Sequence, residues 1–143
     1  AWGELDVLIL DLPPGTGDIQ LTIVQTLALD GAVIVTTPQE VALIDARKAI
    51  SMFAKVNVRI LGIIENMSWF ECDQGKRYHL FGENGGRLEA ERLGVPLLAE
   101  IPIDPETRLR CDQGQPIALT GPAESHVAKA FYKASQSLLA QTK

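Results

Sequence analysis

A chain of 143 residues, 46% hydrophobic and 22% charged, has the length and composition of one globular domain, so residues 1–143 are interpreted as a single domain. The formal net charge of -5 argues against nucleic-acid partners, and no apolar run approaches the roughly twenty residues that span a bilayer. Two distant cysteines without a secretory leader argue against a disulfide framework and favour a cytoplasmic location.

The first predicted element is a strand over residues 7–10, followed by a tight loop. This apolar run is short and unbroken, which favours a strand buried on both faces. Pro13 cannot continue a ladder, and Gly15 permits the torsion angles of a turn. Asp11 therefore falls at the tip of a parallel strand, where open α/β sheets bind ligands. We interpret Asp11 as a residue that binds magnesium, or water bound to magnesium, facing a phosphate.

The alternative role of Asp11 is to cap the next helix, but Thr16 or Asp18 is better placed for that. Apolar residues then recur at helical spacing until Asp30, which predicts a helix packed on the sheet. Residues 31–36 form a second apolar run rich in β-branched residues, and they are the second predicted strand.

The tetrad T-P-Q-E follows that strand and predicts the start of a second helix. It fits a capping box in which Thr37 is the N-cap, Pro38 takes the first helical position and Glu40 reaches back. The helix is predicted to run to about Val56. Its predicted buried face consists of Leu43, Ala46, Ile50 and Phe53. The charged residues predicted to face solvent are Asp45, Arg47, Lys48 and Lys55.

The third predicted strand covers residues 59–65 and ends at Asn66. In a parallel sheet, that position puts Asn66 on the same edge as Asp11. A side-chain amide offers donors and an acceptor, as the edge of an adenine base requires. An asparagine that closes a turn is an equally good interpretation of the spacing alone.

Residues 68–86 are polar and predicted to be irregular, and they contain Cys72. Thiolates are the ligands that iron-sulfur centres take, but one cysteine cannot hold a cluster within one chain. We therefore interpret Cys72 as an incidental loop cysteine, and Cys111 likewise as a cysteine without a functional role. A short helix is predicted over residues 83–93, ended by Gly94.

The fourth predicted strand, over residues 97–101, is followed by Pro102 and Asp104, and Asp104 fits the N-cap of a further helix. A closing amphipathic helix is marked by Val127, Phe131, Ala134 and Leu138. Its modest apolar face indicates core packing and not membrane attachment. Strands that alternate with helices predict an α/β fold with a mainly parallel, doubly wound sheet and flanking helices.

Four motifs of the chain resemble the Mrp/ApbC-type P-loop ATPases, the iron-sulfur carrier branch of the MinD/ParA superfamily. They are D-L-P-P-G-T-G-D from Asp11, G-A-V-I-V-T-T-P-Q-E-V-A-L-I-D-A-R-K from Gly31, L-G-I-I-E-N-M-S from Leu61 and L-G-V-P-L-L-A-E-I-P-I-D-P from Leu93. The resemblance implies a P-loop NTPase-like fold that binds ATP and magnesium, with Asp11 as the catalytic, metal-holding residue. The residues it assigns to the nucleotide are Pro13, Gly15, Asn66, Pro102 and Asp104.

The sequence departs from the family pattern in two places. No G-x-x-x-x-G-K-[ST] loop occurs in the 143 residues, so we expect the C-terminal portion of an ATPase, incomplete at its N-terminus and inactive alone. A gap is expected beside the strand of residues 31–36, where the phosphate-loop strand belongs. The family's C-x-x-C motif reads C-D-Q-G here, so Cys72 is only half of the usual iron-sulfur ligand pair.

The resemblance implies a homodimeric ATPase that acts in iron-sulfur cluster assembly or transfer to apoproteins. It also puts the segment around Arg47 near the subunit interface, as an alternative to a solvated surface. Two other functions stay open: a nucleotide-gated dimeric scaffold without a cluster, and a MinD/ParA-like positioning ATPase. The acidic balance disfavours the second of these.

Overall fold

The computed structural model describes residues 2–13, 15 and 17–142. Its elements, in chain order, are α1 (Asp18–Thr26), β1 (Ala32–Thr36), α2 (Glu40–Lys55), β2 (Ile60–Glu71), β3 (Arg77–Tyr78), α3 (Gly85–Leu93), β4 (Leu97–Ile103), α4 (Pro105–Asp112), a 3-10 helix (Ile117–Thr120) and α5 (His126–Gln141). The predicted α/β fold is confirmed. None of the helices in the described ranges combines the length and apolar character that crossing a bilayer requires.

The sheet is built around β2, which pairs in parallel with β1 on one side and with β4 on the other. At its far end β2 also pairs antiparallel with the short strand β3, through Phe70–Tyr78 and Glu71–Arg77. The sheet is therefore mainly parallel, as predicted, with one antiparallel addition.

Helices cover the two faces of the sheet. Ile63 of β2 belongs to the larger core, with residues of α1, β1, α2 and α3, whereas the next residue, Ile64, packs against the smaller core. The smaller core consists of Ile101, Ile117 and Val127, from β4, the 3-10 helix and α5. Successive strand residues point to opposite faces, so burial on both sides explains the unbroken apolar run of β2.

The strand predicted for residues 7–10 is wrong. Their four side chains are 38% to 75% exposed and pair with no strand in the described ranges. A strand buried on both faces requires a hydrogen-bonding neighbour and cover on each side, and apolar composition supplies neither. The sheet's four strands consequently include β3 in place of the predicted first strand.

The predicted capping box at the start of α2 is also wrong. The helix begins at Glu40, and its N-cap Gln39 makes no side-chain capping bond. Glu40 instead binds Arg47 at 2.6 Å. Pro38 is buried before the helix, against Gly85, on which a Cβ would come within 2.5 Å of the Pro38 carbonyl oxygen. The predicted apolar face and end of α2 are confirmed.

The cap predicted for α1 differs in a similar way. Asp18 is the first helical residue, and the N-cap is Gly17, without a side-chain bond. The other predicted cap, Thr16, lies outside the described residues.

The remaining differences concern strand ends and loops. β2 extends to Glu71, six residues beyond its predicted end, so residues 68–86 are not uniformly irregular: they form part of a hairpin with β3. β4 continues through Pro102 to Ile103. The helix predicted over residues 83–93 begins at Gly85, and Gly94 ends it in the left-handed conformation, as predicted.

Candidate nucleotide site

Asn66 and Pro102 lie side by side where parallel strands β2 and β4 approach their carboxyl ends. Asn66 pairs with Ile101, and the next pair is Phe70 with Ile103. Three residues of β2 therefore stand opposite Pro102 alone, which is a bulge. Proline has no N–H to give to a ladder, and bulges are frequent next to active sites, where they redirect a side chain. Asn66 is thus inside β2 at a bulge, and not at its end as predicted.

The bulge fixes the side chain of Asn66 in one orientation. Its Oδ1 accepts the N–H of Met67 at 2.9 Å. Met67 has a φ of 56°, in the left-handed region that methionine rarely adopts. Because Oδ1 is used in this way, the Nδ2 group is the donor that Asn66 can offer to a ligand.

Glu65, the residue before Asn66, is 1% exposed and is bound at both its side chain and its main chain. Its Oε2 accepts the N–H of Gly86 in the first turn of α3 at 2.6 Å. Its carbonyl oxygen accepts the hydroxyl of Ser68 at 2.9 Å. No role is predicted for Glu65 from the sequence, although a charged residue in an apolar strand is a signal of a buried polar contact.

Asp104 caps α4, as its position before Pro105 predicts. Its Oδ2 accepts the N–H of Thr107 at 2.8 Å and the hydroxyl of Thr107 at 2.6 Å. Burial acts to raise the pKa of Asp104, but the hydrogen bonds from Thr107 and from the amide of Glu106 outweigh it and hold the pKa below 3.8. The carboxylate is therefore ionised and committed to the cap.

Asp11 and the loop after it are attached to α1 and the larger core. Asp11 is exposed and makes no hydrogen bond or ion pair in the described ranges, while the next residue, Leu12, packs against the core. The carbonyl of Pro13 accepts the side-chain amide of buried Gln20. Gly15 has a φ of 97°, which strongly favours glycine. Among the described residues, no hydrogen bond joins this loop to Asn66 or to the turn after β4.

Cys72 follows β2 at the start of the hairpin turn and is half-buried. Its N–H donates to the carbonyl of Lys76 at 3.0 Å, and its carbonyl accepts the N–H of Gly75 at 2.8 Å. Cys111 is exposed on α4. Within the part of the chain that the structure describes, no three His, Cys, Asp or Glu side chains converge as a metal site.

A charged cluster between α2 and α3 was missed in the sequence. Glu89, whose side chain is 2% exposed, binds Arg47 at 2.9 Å and also binds Arg92. Arg47 is therefore half-buried in a tertiary ion pair and is not the solvated residue predicted, whereas Asp45 pairs with Lys48 on the surface. A shallow cavity of about 300 Å³ adjoins the cluster and is lined in part by Pro38, Glu40, Leu88 and Arg92.

Comparison with known proteins finds relatives that match nearly the whole chain. The chain is 50% identical over 138 residues to an iron-sulfur cluster carrier protein of Aquifex aeolicus, covering 96% of this chain and 38% of that protein. It is 54% identical over 142 residues to the carrier of the same name from Deinococcus radiodurans, covering 99% of this chain and 40% of that protein. The chain thus spans about two fifths of these relatives.

A solved structure gives the same fold. A nucleotide-binding protein from Archaeoglobus fulgidus, in complex with ADP and with cobalt, superposes with a TM-score of 0.72 and 46% identity, covering 80% of this chain and 47% of that one. The family model described as ParA, NUBPL iron-transfer P-loop NTPase matches residues 1–139. The chain therefore belongs to the NUBPL iron-transfer P-loop NTPase family.

Proposed function

We propose that this chain is the C-terminal portion of a cytoplasmic, homodimeric ATPase, called the parent protein below, that transfers iron-sulfur clusters to apoproteins. Family membership and the names of the two carrier relatives support the transfer function. The ADP bound by the Archaeoglobus fulgidus protein supports an adenine nucleotide as ligand.

The observation that carries the proposal is the pairing of β2 with β4, which brings Asn66 beside Pro102. In our proposal the Nδ2 group of Asn66 binds the adenine edge, buried Pro102 packs against the ring, and Asp104 fixes the turn beside it. Pro13 and Gly15 belong to the loop that responds to the terminal phosphate. Carboxyl ends of parallel strands are where such sheets bind ligands.

Asp11 is proposed to hold magnesium through water. Its carboxylate is exposed and has no protein partner in the described ranges, so it fits a hard cation that prefers oxygen ligands and retains water. Magnesium would neutralise charge on the phosphates. The phosphate cradle is expected from a loop upstream of these residues.

ATP hydrolysis by the parent protein tests the proposal. We expect magnesium-dependent turnover that falls about a hundredfold or more in Asp11→Asn, because a preorganised electrostatic contact is lost. The 143-residue chain alone should be inactive. Turnover by this chain alone, or turnover retained in Asp11→Asn, would contradict the proposed roles.

Cys72 gives a reason to keep a second candidate, a nucleotide-gated dimeric scaffold that carries no cluster. The second cysteine of the family motif is missing, and even two copies of Cys72 in a dimer provide half the usual four thiolates. Anaerobic reconstitution of the parent protein separates the two functions. A visible cluster absorbance that is lost in Cys72→Ala supports the carrier, whereas no bound cluster supports the scaffold.

A further inference from the structure

Glu65 lies in the regular part of β2, one residue before Asn66, at which the bulge begins. It is the last residue of β2 that pairs with β1, opposite Thr36, and it pairs with Glu100 of β4 on the other side. Asn66 follows it directly, and the register with β4 is then lost until Phe70. The position of the Glu65 main chain therefore sets where Asn66 enters the bulge.

The side chain of Glu65 is held by α3. Burying a carboxylate is unfavourable unless it is compensated, and here the N–H of Gly86 and the positive end of the α3 dipole provide the compensation. The approach depends on glycine at position 86, because a Cβ there would lie 2.9 Å from the Cβ of Glu65. The contact is thus a specific fit between β2 and the first turn of α3.

The helix that binds Glu65 is itself fixed to its surroundings. Arg87, the next residue of α3, binds Glu100 of β4 at 2.8 Å. Two residues further on, Glu89 binds Arg47 of α2 at 2.9 Å. The N-terminal half of α3 is therefore joined to both the sheet and α2, and it can act as a fixed support.

The main chain of Glu65 is held by Ser68, which follows Asn66 in the chain. The hydroxyl of Ser68, a residue that is 2% exposed, donates to the Glu65 carbonyl. This bond closes the turn in which Met67 is left-handed and donates its N–H to the Asn66 side chain. Asn66 is consequently held between two buried residues, Glu65 and Ser68.

We infer that Glu65 is a positioning residue for base recognition: by binding the first turn of α3, it fixes the β2 bulge and so the direction of the Asn66 amide. The inference rests on the proposed function, in which Asn66 binds the adenine edge of a nucleoside triphosphate. Glu65 then determines selectivity for the base and leaves affinity for the phosphates unchanged.

The test compares the affinities of the parent protein for ATP, GTP and inorganic triphosphate, with magnesium present. Glu65→Leu removes the acceptor and keeps the bulk, whereas Glu65→Gln keeps an acceptor oxygen. We expect Glu65→Leu to lower the ATP-to-GTP affinity ratio about tenfold, equivalent to one hydrogen bond, with triphosphate affinity unchanged. Glu65→Gln should retain the wild-type ratio. Asn66→Ala should lose the same selectivity, and the double variant should lose no more.

An unchanged ATP-to-GTP ratio in Glu65→Leu, or an equal loss of ATP and triphosphate affinity, would overturn the inference. If Glu65→Leu does not fold, Ser68→Ala carries the test: a smaller loss of the ratio is expected, and no loss contradicts the inference. Failure of the proposed function looks different. In that case the wild type has no preference for ATP, or Asn66→Ala retains it, and both proposals fall together.

Discussion

Glu89 is buried and yet ionised, because two guanidinium groups bind it. Hydrogen bonding to Arg92 is the main cause that holds its pKa below 4.5; burial opposes this and Arg47 adds to it. A carboxyl group whose pKa falls on folding stabilises the protein above its unfolded pKa, and this stability is lost as the pH falls through its folded pKa. We expect Glu89→Gln to lower the free energy of unfolding near neutral pH, and the difference from wild type to shrink below pH 4.5. Urea denaturation across this pH range measures it.

Asp45→Asn is the matched control for Glu89→Gln. Asp45 lies on α2 and pairs with Lys48, with side chains 77% and 61% exposed. Exposed pairs contribute roughly 0–1 kcal/mol, so the control should change little at any pH. If Glu89→Gln lowers the free energy of unfolding by the same amount from neutral to acid pH, then packing, and not charge, explains the contribution of Glu89 to stability.

Gly86 is a second residue whose identity the fold demands. In Gly86→Ala the new Cβ would lie 2.9 Å from the Cβ and 3.1 Å from the Oε2 of Glu65. Alanine favours a helix by about 1 kcal/mol, but the contact is with buried atoms close to the backbone, so we expect a net destabilisation of roughly 1–3 kcal/mol. Chemical denaturation measures this change.

Gly17→Ala is the comparison for Gly86→Ala. Gly17 caps α1 with a φ of -79°, and no atom lies within 4 Å of a Cβ built there. Its replacement should cost less than about 1 kcal/mol. Equal losses of stability in Gly86→Ala and Gly17→Ala would show that α3 is not tightly packed against Glu65.

At the scale of the elements, the C-terminal end of α5 is bound by Arg59, which is distant in the sequence. Arg59 donates from Nε to the carbonyl of Asp30 at 2.8 Å and from a guanidinium nitrogen to the carbonyl of Gln141 at 3.0 Å. A cation that binds the last carbonyls of a helix satisfies groups without helical partners. In Arg59→Ala we expect the amides of the last α5 turn to exchange about threefold to tenfold faster, with the rest of α5 unchanged.

Arg108→Ala serves as the control for the α5 measurement. Arg108 pairs with Asp112 within α4, and both side chains are more than half exposed. Exchange in α5 should be the same in this variant as in wild type. If Arg59→Ala also leaves the last turn unchanged, the helix end is held by packing alone.

Elements with local signals were predictable, and those that depend on neighbours were not. The spacing of Leu43, Ala46, Ile50 and Phe53 predicted the face of α2 because all four are buried on the same side of the helix. Strand β3 has two exposed residues, so no burial pattern marks it, and only the turn glycine Gly75 hints at a hairpin. The capping box failed because the helix begins at Glu40, three residues after Thr37, and the side chain of Glu40 binds Arg47.

At the scale of the whole molecule, the parallel arrangement of β2 and β4 was predictable, and with it the proximity of Asn66 and Pro102. The buried contacts that support that site were not predictable from the sequence. The bonds from Glu65 to Gly86 and from Glu89 to Arg47 join residues 21 and 42 positions apart. Such contacts depend on how α3 packs on the sheet, which no single stretch of sequence encodes.

The open side of the sheet gives the last prediction. In the described ranges β1 pairs only with β2, and the side chain of its Val35 is 60% exposed. Ile9, in the segment predicted as a strand, is 75% exposed. If the parent protein supplies a strand between them, both side chains become buried there. We then expect Ile9→Ser and Val35→Ser to be nearly neutral in the 143-residue chain, and to cost roughly 1.5–3 kcal/mol each in the parent protein.

Leu119 distinguishes this effect from a general intolerance of serine. It is 80% exposed on the 3-10 helix, where the smaller core lies beneath it, so Leu119→Ser should be neutral in both proteins. Hydrogen exchange adds a second measurement, because amides of residues 7–10 should be unprotected in the short chain and protected in the parent protein. Neutral Ile9 and Val35 variants in the parent protein would mean that no strand fills the gap, and the exposed apolar edge would then need another cover.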